Sequence, residues 1–251
     1  MTHQTDLEKA LISASPPPVE KLALMHVTLG RWLSTIVKKR ELRPQHCDVF
    51  GQNALFFSYG APYYRPKNRQ TQDSLEFPVV FVFSSAILPL FNRFYPFDTG
   101  ALVSGLLGPE LLDNGGLDEL YIEGDPQRLV SCFYKSNTRY LRGQVQRIIP
   151  RINPLPIVRQ HLAKDLSSKG IDQRQRTIEC IANKGISLLE HLIYVVFPKP
   201  MSRQIRRLWK VCPTKFKYHF YEPDINENPS SLITHVAKVL KEELKYMWER
   251  P

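Results

Sequence analysis

The sequence predicts an α+β fold in which a mixed β-sheet is flanked by helices. Apolar runs rich in β-branched and aromatic residues, at 54–59, 79–83, 177–182 and 191–197, have the length and composition of strands. Other segments repeat apolar residues at helical spacing; the clearest is the stripe Leu232, Ile233, Val236, Val239, Leu240, Leu244 and Met247. With 251 residues, 43% of them hydrophobic, the chain has enough material for a core. The expected organisation is a leader at 1–20 and a single domain at 21–251, with a candidate hinge at 148–156.

Each element follows from local chemistry. The leader ends in Pro16, Pro17 and Pro18 and is expected to order partly against the body. A strand carrying Met25-His26-Val27-Thr28 leads into Leu29, Trp32, Leu33, Ile36 and Val37 at helical spacing. Lys38, Lys39 and Arg40 suit the negative end of that helix dipole, which places the helix at 29–42. Strands follow at 54–59 and 79–83. Residues 92–117 hold Phe94-Tyr95-Pro96-Phe97-Asp98-Thr99-Gly100 and two more glycine clusters, and read as a long functional loop or lid. Asp98 and Thr99 precede Gly100 in a tight turn, where an Asp side chain ordinarily caps its own backbone. A short strand at 120–122, a helix from 127 and a proline-broken crossing at 148–156 come next. In the last third, 177–182 and 191–197 are expected to be neighbouring strands, 202–211 a basic helix and 215–221 an alternating strand. Asn228-Pro229 supplies the cap and first residue of the closing helix.

Composition narrows the function classes. No run approaches the ~18 apolar residues that a membrane span needs. Residues 1–20 lack the basic flank and apolar block of a signal peptide. The expectation is a cytoplasmic protein with no membrane association. Cys47, Cys132, Cys180 and Cys212 lie far apart with no C-x-x-C pair, so neither a zinc site nor a disulfide framework is expected. The net charge of +10 is unevenly placed: 135–217 holds eighteen Lys and Arg against four acids, which is +14 and leaves −4 elsewhere. That field favours nucleic acid or another polyanion as partner. Phosphate-loop, dinucleotide-fold, hydrolase and zinc-peptidase signatures are all missing from the sequence.

The candidate site residues cluster early in the chain. His26 and Thr28, two apart on a strand, point to the same side of it. The imidazole can bond a sugar hydroxyl; the bland alternative is a core histidine bonded to a carbonyl. The strand at 54–59 runs out into Tyr59-Gly60-Ala61-Pro62-Tyr63-Tyr64-Arg65. Tyr59, Tyr63 and Tyr64 can stack on a planar base, and Arg65 can grip a phosphate with two parallel bonds, although aromatic residues beside a turn are also ordinary packing. Two acids compete for a catalytic role. Glu179 sits within an apolar strand whose composition normally excludes a carboxylate, with a salt bridge to Arg174 or Arg176 as the structural alternative. Glu119 stands at the head of Glu119-Leu120-Tyr121-Ile122 and is more easily explained as an exposed strand end.

His26-x-Thr28, the helix ending in Glu41-Leu42-Arg43-Pro44, the strand Phe56-Phe57-Ser58 and a late-strand glutamate, Glu179, fall in an order that resembles the ADP-ribosyltransferase fold. Within it the resemblance is to enzymes that modify nucleic acids in toxin–antitoxin and phage-defence systems. It implies a split mixed sheet with NAD as substrate and no metal. It further implies that His26 and Thr28 hold the nicotinamide-side ribose, a tyrosine stacks on nicotinamide, Arg65 engages the pyrophosphate and Glu179 stabilises the oxocarbenium-like sugar. The basic half would hold the acceptor nucleic acid, and an antitoxin or other protein partner is implied. The chain departs from the pattern in the insertion at 92–117 and in lacking a Glu-x-Glu or Gln-x-Glu pair. The alternative is a non-catalytic nucleic-acid or protein-binding module that uses the basic 135–217 surface.

Overall fold

The computed structural model describes residues 4–62, 73–105, 111–112, 116–164, 173–213, 215–223 and 229–248. In chain order its elements are α1 (Asp6–Ala14), β1 (Leu24–Leu29), α2 (Leu33–Lys39), β2 (Glu41–Leu42), β3 (Gln45–Cys47), β4 (Gln52–Tyr59), β5 (Pro78–Phe83), β6 (Arg93–Tyr95), α3 (Thr99–Val103), α4 (Gln127–Tyr134), α5 (Asn137–Leu141) and α6 (Leu155–Ala163). They continue with β7 (Glu179–Ala182), β8 (Ile186–Ser187), β9 (Leu192–Pro198), α7 (Ser202–Val211), β10 (Lys217–Tyr221) and α8 (Pro229–Trp248). The fold is α+β. The chain divides into two units interleaved along the sequence: Met1–Lys21, His46–Tyr59 and Phe91–Asn183 form the first, and Leu22–Gln45, Gly60–Leu90 and Lys184–Pro251 the second.

In the second unit the strand order is β10-β9-β5-β1. β5 is antiparallel to both β1 and β9, so its run Pro-Val-Val-Phe-Val-Phe is buried at every position. β10 lies parallel to β9, which requires a crossover, and α7 supplies it. The register sets His26 opposite Phe81 and Thr28 opposite Val79. Both side chains therefore stand on one face, and Met25 and Val27 stand on the other. Met25, Val80, Val82, Tyr194 and Val196 pack under Leu232, Ile233, Val236 and Leu240 of α8. The stripe read from the sequence thus closes the face turned away from His26. Asn228 and the side chains of Leu244 and Met247 lie outside the described residues.

The helix expected at 29–42 is shorter. Gly30–Trp32 is a 3₁₀ turn, α2 stops at Lys39, and Arg40 adopts a left-handed conformation with φ 56°. Glu41 and Leu42 then pair with Ser187 and Ile186 as β2 and β8. A Cβ at Gly185 would meet the Glu41 carboxylate, whose side chain would have to move aside. Trp32, assigned to the apolar stripe, is 57% exposed.

In the first unit β4, β7 and β6 form an antiparallel set in that order. The reading of 92–117 as a loop is overturned over its described part. Arg93–Tyr95 pairs with β7, Phe94, Tyr95 and Phe97 are fully buried, and Asp98 caps α3 by accepting from Ala101 N at 2.7 Å. The strands at 177–182 and 191–197 both exist but are not neighbours: β7 pairs with β4 and β6, and β9 with β5 and β10. The strand expected at 120–122 reduces to one bridge between Ile122 and Phe94. Glu119 belongs to a 3₁₀ turn and accepts from Asp6 N at 2.9 Å, which ties the start of α1. α1 buries Leu7 and Leu11, and Thr5 caps it by accepting from Glu8 N. Cys47, Cys132, Cys180 and Cys212 are free thiols, and among the described residues no helix is long and apolar enough to cross a membrane.

Candidate active site around Glu179

The pairing of three short strands builds this site. Glu179 at the head of β7 lies opposite Ser58 of β4 and opposite Tyr95 of β6. Directly paired residues share a face of a pleated sheet, so a hydroxyl, a carboxyl and a phenol stand in one row. Ser58, Glu179 and Tyr95 are all buried.

Glu179 is bound by the residue that follows the α3 cap. Thr99 N donates to Oε2 at 3.2 Å and Thr99 Oγ1 donates to the same oxygen at 2.5 Å. Burial raises the carboxyl to about 8 and the nearby Asp98 carboxylate adds to the rise, while the two Thr99 bonds favour ionisation. The salt bridge weighed from the sequence is not made by Arg176, whose guanidinium donates to the carbonyls of Leu162 at 3.0 Å and Lys164 at 3.5 Å. The side chain of Arg174 lies outside the described residues.

Aromatic rings pack around the Tyr95 end of the row. Tyr95 lies 5.9 Å from Phe50, 5.8 Å from Tyr121 and 6.3 Å from Phe97, centroid to centroid. Arg93 sits over the Tyr121 ring at 4.7 Å and near Asp118 at 3.7 Å. Burial pushes the Tyr95 phenol up to about 12, against the pull of Arg93, so it stays neutral. Once ionised, the carboxyl beside the Tyr95 ring suits a cationic or electron-deficient group, because the carboxylate and a π-face both stabilise positive charge. Among the described residues no cluster of His, Cys, Asp or Glu can hold a metal ion.

The remaining candidates fall as follows. His26 and Thr28 are half-buried on one face of β1, in the second unit. Tyr59 is fully buried, packs on Tyr140 at 6.4 Å and, one residue along from Ser58, takes the opposite face from Glu179. Tyr63, Tyr64 and Arg65 lie outside the described residues. Sequence reading missed Thr99 and Tyr95 as neighbours of Glu179, and Phe97 and Tyr121 as the rings packed on Tyr95. The signal available was the dense aromatic run at 94–97, too apolar for an exposed loop.

No protein family and no curated protein matches this chain. Among solved structures it is similar to Thermus sp. 2.9 DarT in complex with NAD+, with a TM-score of 0.44 at 10% identity, covering 82% of this chain and 98% of that one. It is likewise similar to the same protein in complex with ADP-ribosylated ssDNA, with a TM-score of 0.42 at 9% identity over 83% and 97% of the two chains.

Proposed function

We propose that this chain is an NAD-dependent ADP-ribosyltransferase that modifies a nucleic acid or nucleotide. The observation that carries the reading is Glu179: a buried carboxyl on a late strand, held by a threonine and paired across the sheet with Tyr95. As nicotinamide leaves, the bond from its nitrogen to the ribose breaks and positive charge develops on the sugar. A placed carboxylate stabilises that charge, and the acceptor then forms the new bond from the opposite face. Tyr95, paired with Glu179 and fully buried, makes the neighbouring part of the row apolar.

In this reading His26 and Thr28, on the face of β1 left open by α8, hold the nicotinamide-side ribose. Tyr63 or Tyr64 stacks on nicotinamide and Arg65 engages the pyrophosphate, whereas Tyr59, buried on the opposite face from Glu179, takes no part. A cytoplasmic toxin or antiviral-defence effector, checked by an antitoxin or other protein partner, is the biological role that fits such chemistry. The test is calorimetric titration of NAD into wild type, His26→Ala and Glu179→Gln, with nicotinamide release followed in the presence of single-stranded DNA. His26→Ala is expected to weaken NAD binding at least about tenfold, the loss of one or two polar contacts. Absence of NAD binding by the wild type at millimolar concentration overturns the reading.

The acceptor is held by the basic stretch. Arg203, Arg206, Arg207 and Lys210 recur at helical spacing and form one exposed stripe on α7, beside the exposed ring of Trp209. Each phosphate contact releases counterions, so affinity must fall steeply with salt. Replacing Arg203, Arg206 and Arg207 by Gln is expected to weaken single-stranded DNA binding and lower the slope of log affinity against log salt by about 2, at roughly 0.7 per phosphate. A slope unchanged from wild type removes α7 from the contact surface.

A further inference from the structure

We infer that Thr99 is a positioning residue for Glu179: its N–H and hydroxyl seize one carboxylate oxygen, Oε2, and thereby present the other, Oε1, to the reacting sugar. The inference rests on the proposed transferase reading of Glu179. Two observations carry it. Both donors reach Oε2, and among the described residues no hydrogen bond ends on Oε1. A carboxyl oxygen sealed in the core without a partner would be costly, and Oε1 is not among the buried polar atoms left unpartnered, so it stands where solvent or a ligand reaches it. Glu179 also keeps 9% of its surface exposed, whereas Thr99, which holds it, is 1% exposed.

The direction of the Thr99 N–H is itself fixed. Asp98 caps α3 through Ala101 N at 2.7 Å, which holds the first turn in place, and Thr99 is the first residue of that turn. A threonine in a first helical turn has no preceding helical carbonyl to bond, so its hydroxyl is available to a group from another element. The groups that face Glu179 are Asp98 from the α3 cap, Ser58 from β4 and Tyr95 from β6, with the Cys180 thiol next to it in sequence. Burial holds the thiol and the phenol neutral, which leaves Asp98 as the charged neighbour of Glu179.

The experiment compares Thr99→Val, which keeps the N–H and the volume but loses the hydroxyl, with Thr99→Ser, which keeps the hydroxyl. Thr99→Val is expected to lower kcat for nicotinamide release by about tenfold to a hundredfold with KM for NAD within about twofold, the pattern of a contact felt only in the transition state. Thr99→Ser is expected to stay within about threefold of wild type. A second readout does not need turnover. In a carboxyl-carbon NMR titration, with Glu179 assigned by its loss in Glu179→Gln, the Glu179 midpoint is expected to rise by about one pH unit in Thr99→Val and to return in Thr99→Ser. An unchanged midpoint in Thr99→Val overturns the inference, as does a fall in kcat that Thr99→Ser fails to restore. If the wild type neither binds nor cleaves NAD, the transferase reading falls by itself. The titration then decides alone whether Thr99 holds the carboxylate.

Discussion

Glu179→Gln is expected to abolish nicotinamide release and, at the same time, to make the protein more stable above pH 8. The first effect follows from removing the charge that meets the developing cation, and a loss of at least about a hundredfold is the usual consequence of deleting one such electrostatic contact. The second follows from linkage. The folded-state value of Glu179, about 8, lies above the ordinary carboxyl value of 4.5, because burial and Asp98 disfavour the charged form. The folded protein therefore holds this proton more tightly than the unfolded chain does. Stability is complete below about pH 4.5 and is lost progressively as pH rises through about 8.

Glutamine is the discriminating substitution because its amide oxygen accepts the same two bonds from Thr99 and never ionises. The difference in Tm between Glu179→Gln and wild type should be small near pH 5, grow through neutrality and level off above pH 8. A penalty of a few kcal/mol corresponds to roughly 5–10 °C for a chain of this size. Thermal unfolding of both proteins across pH 5 to 9 measures it. A difference that stays flat with pH shows that the carboxylate is not penalised, and a variant less stable than wild type at every pH shows that Glu179 is a structural partner. Stability gained where activity is lost is the signature of a residue kept for chemistry.

The parts of this molecule that were legible in the sequence are those in which a long pattern meets one large packing surface. β5 shows as an unbroken apolar run, α7 as a basic amphipathic helix, and α8 as a stripe that closes on Met25, Val80, Val82 and Val196. The parts that were not legible are short and depend on distant partners. β6 is three residues and α3 five, set among Pro96, Gly100 and Gly105, so local composition reports a loop. What orders them is pairing with β7, eighty-odd residues along the chain, which no local rule sees. Asp98 shows the contrast within one dipeptide. Its role as a backbone cap was readable because Ala101 lies three residues on, and the bond from Thr99 to Glu179 was hidden because it spans the unit. Arg176 misled in the opposite sense: nearness in sequence made it a natural ion-pair partner, and the fold turns it to the Leu162 and Lys164 carbonyls.

Tyr140→Phe is expected to cost about 2–4 kcal/mol of stability, the loss of two hydrogen bonds to buried backbone groups, and to loosen the strand that carries Glu179. The phenol of α5 donates to Tyr59 O at 2.7 Å and accepts from Ile178 N at 3.1 Å. Those two backbone groups lie immediately beyond the Ser58–Glu179 pair, where Tyr59 N also donates to Ile178 O at 3.0 Å. One hydroxyl thus clamps β4 and β7 at the end where the carboxyl stands. Phenylalanine keeps the edge-on contact with Tyr134 at 5.0 Å, so the variant isolates the hydroxyl from the ring. Denaturant unfolding gives the stability, and amide exchange gives the local effect. Exchange at Ile178, Glu179 and Cys180 should accelerate by more than the global loss predicts, while exchange in β5 tracks the global value. Uniform acceleration in both strands would show that Tyr140 supports the whole protein and does not act on the strand end that positions Glu179.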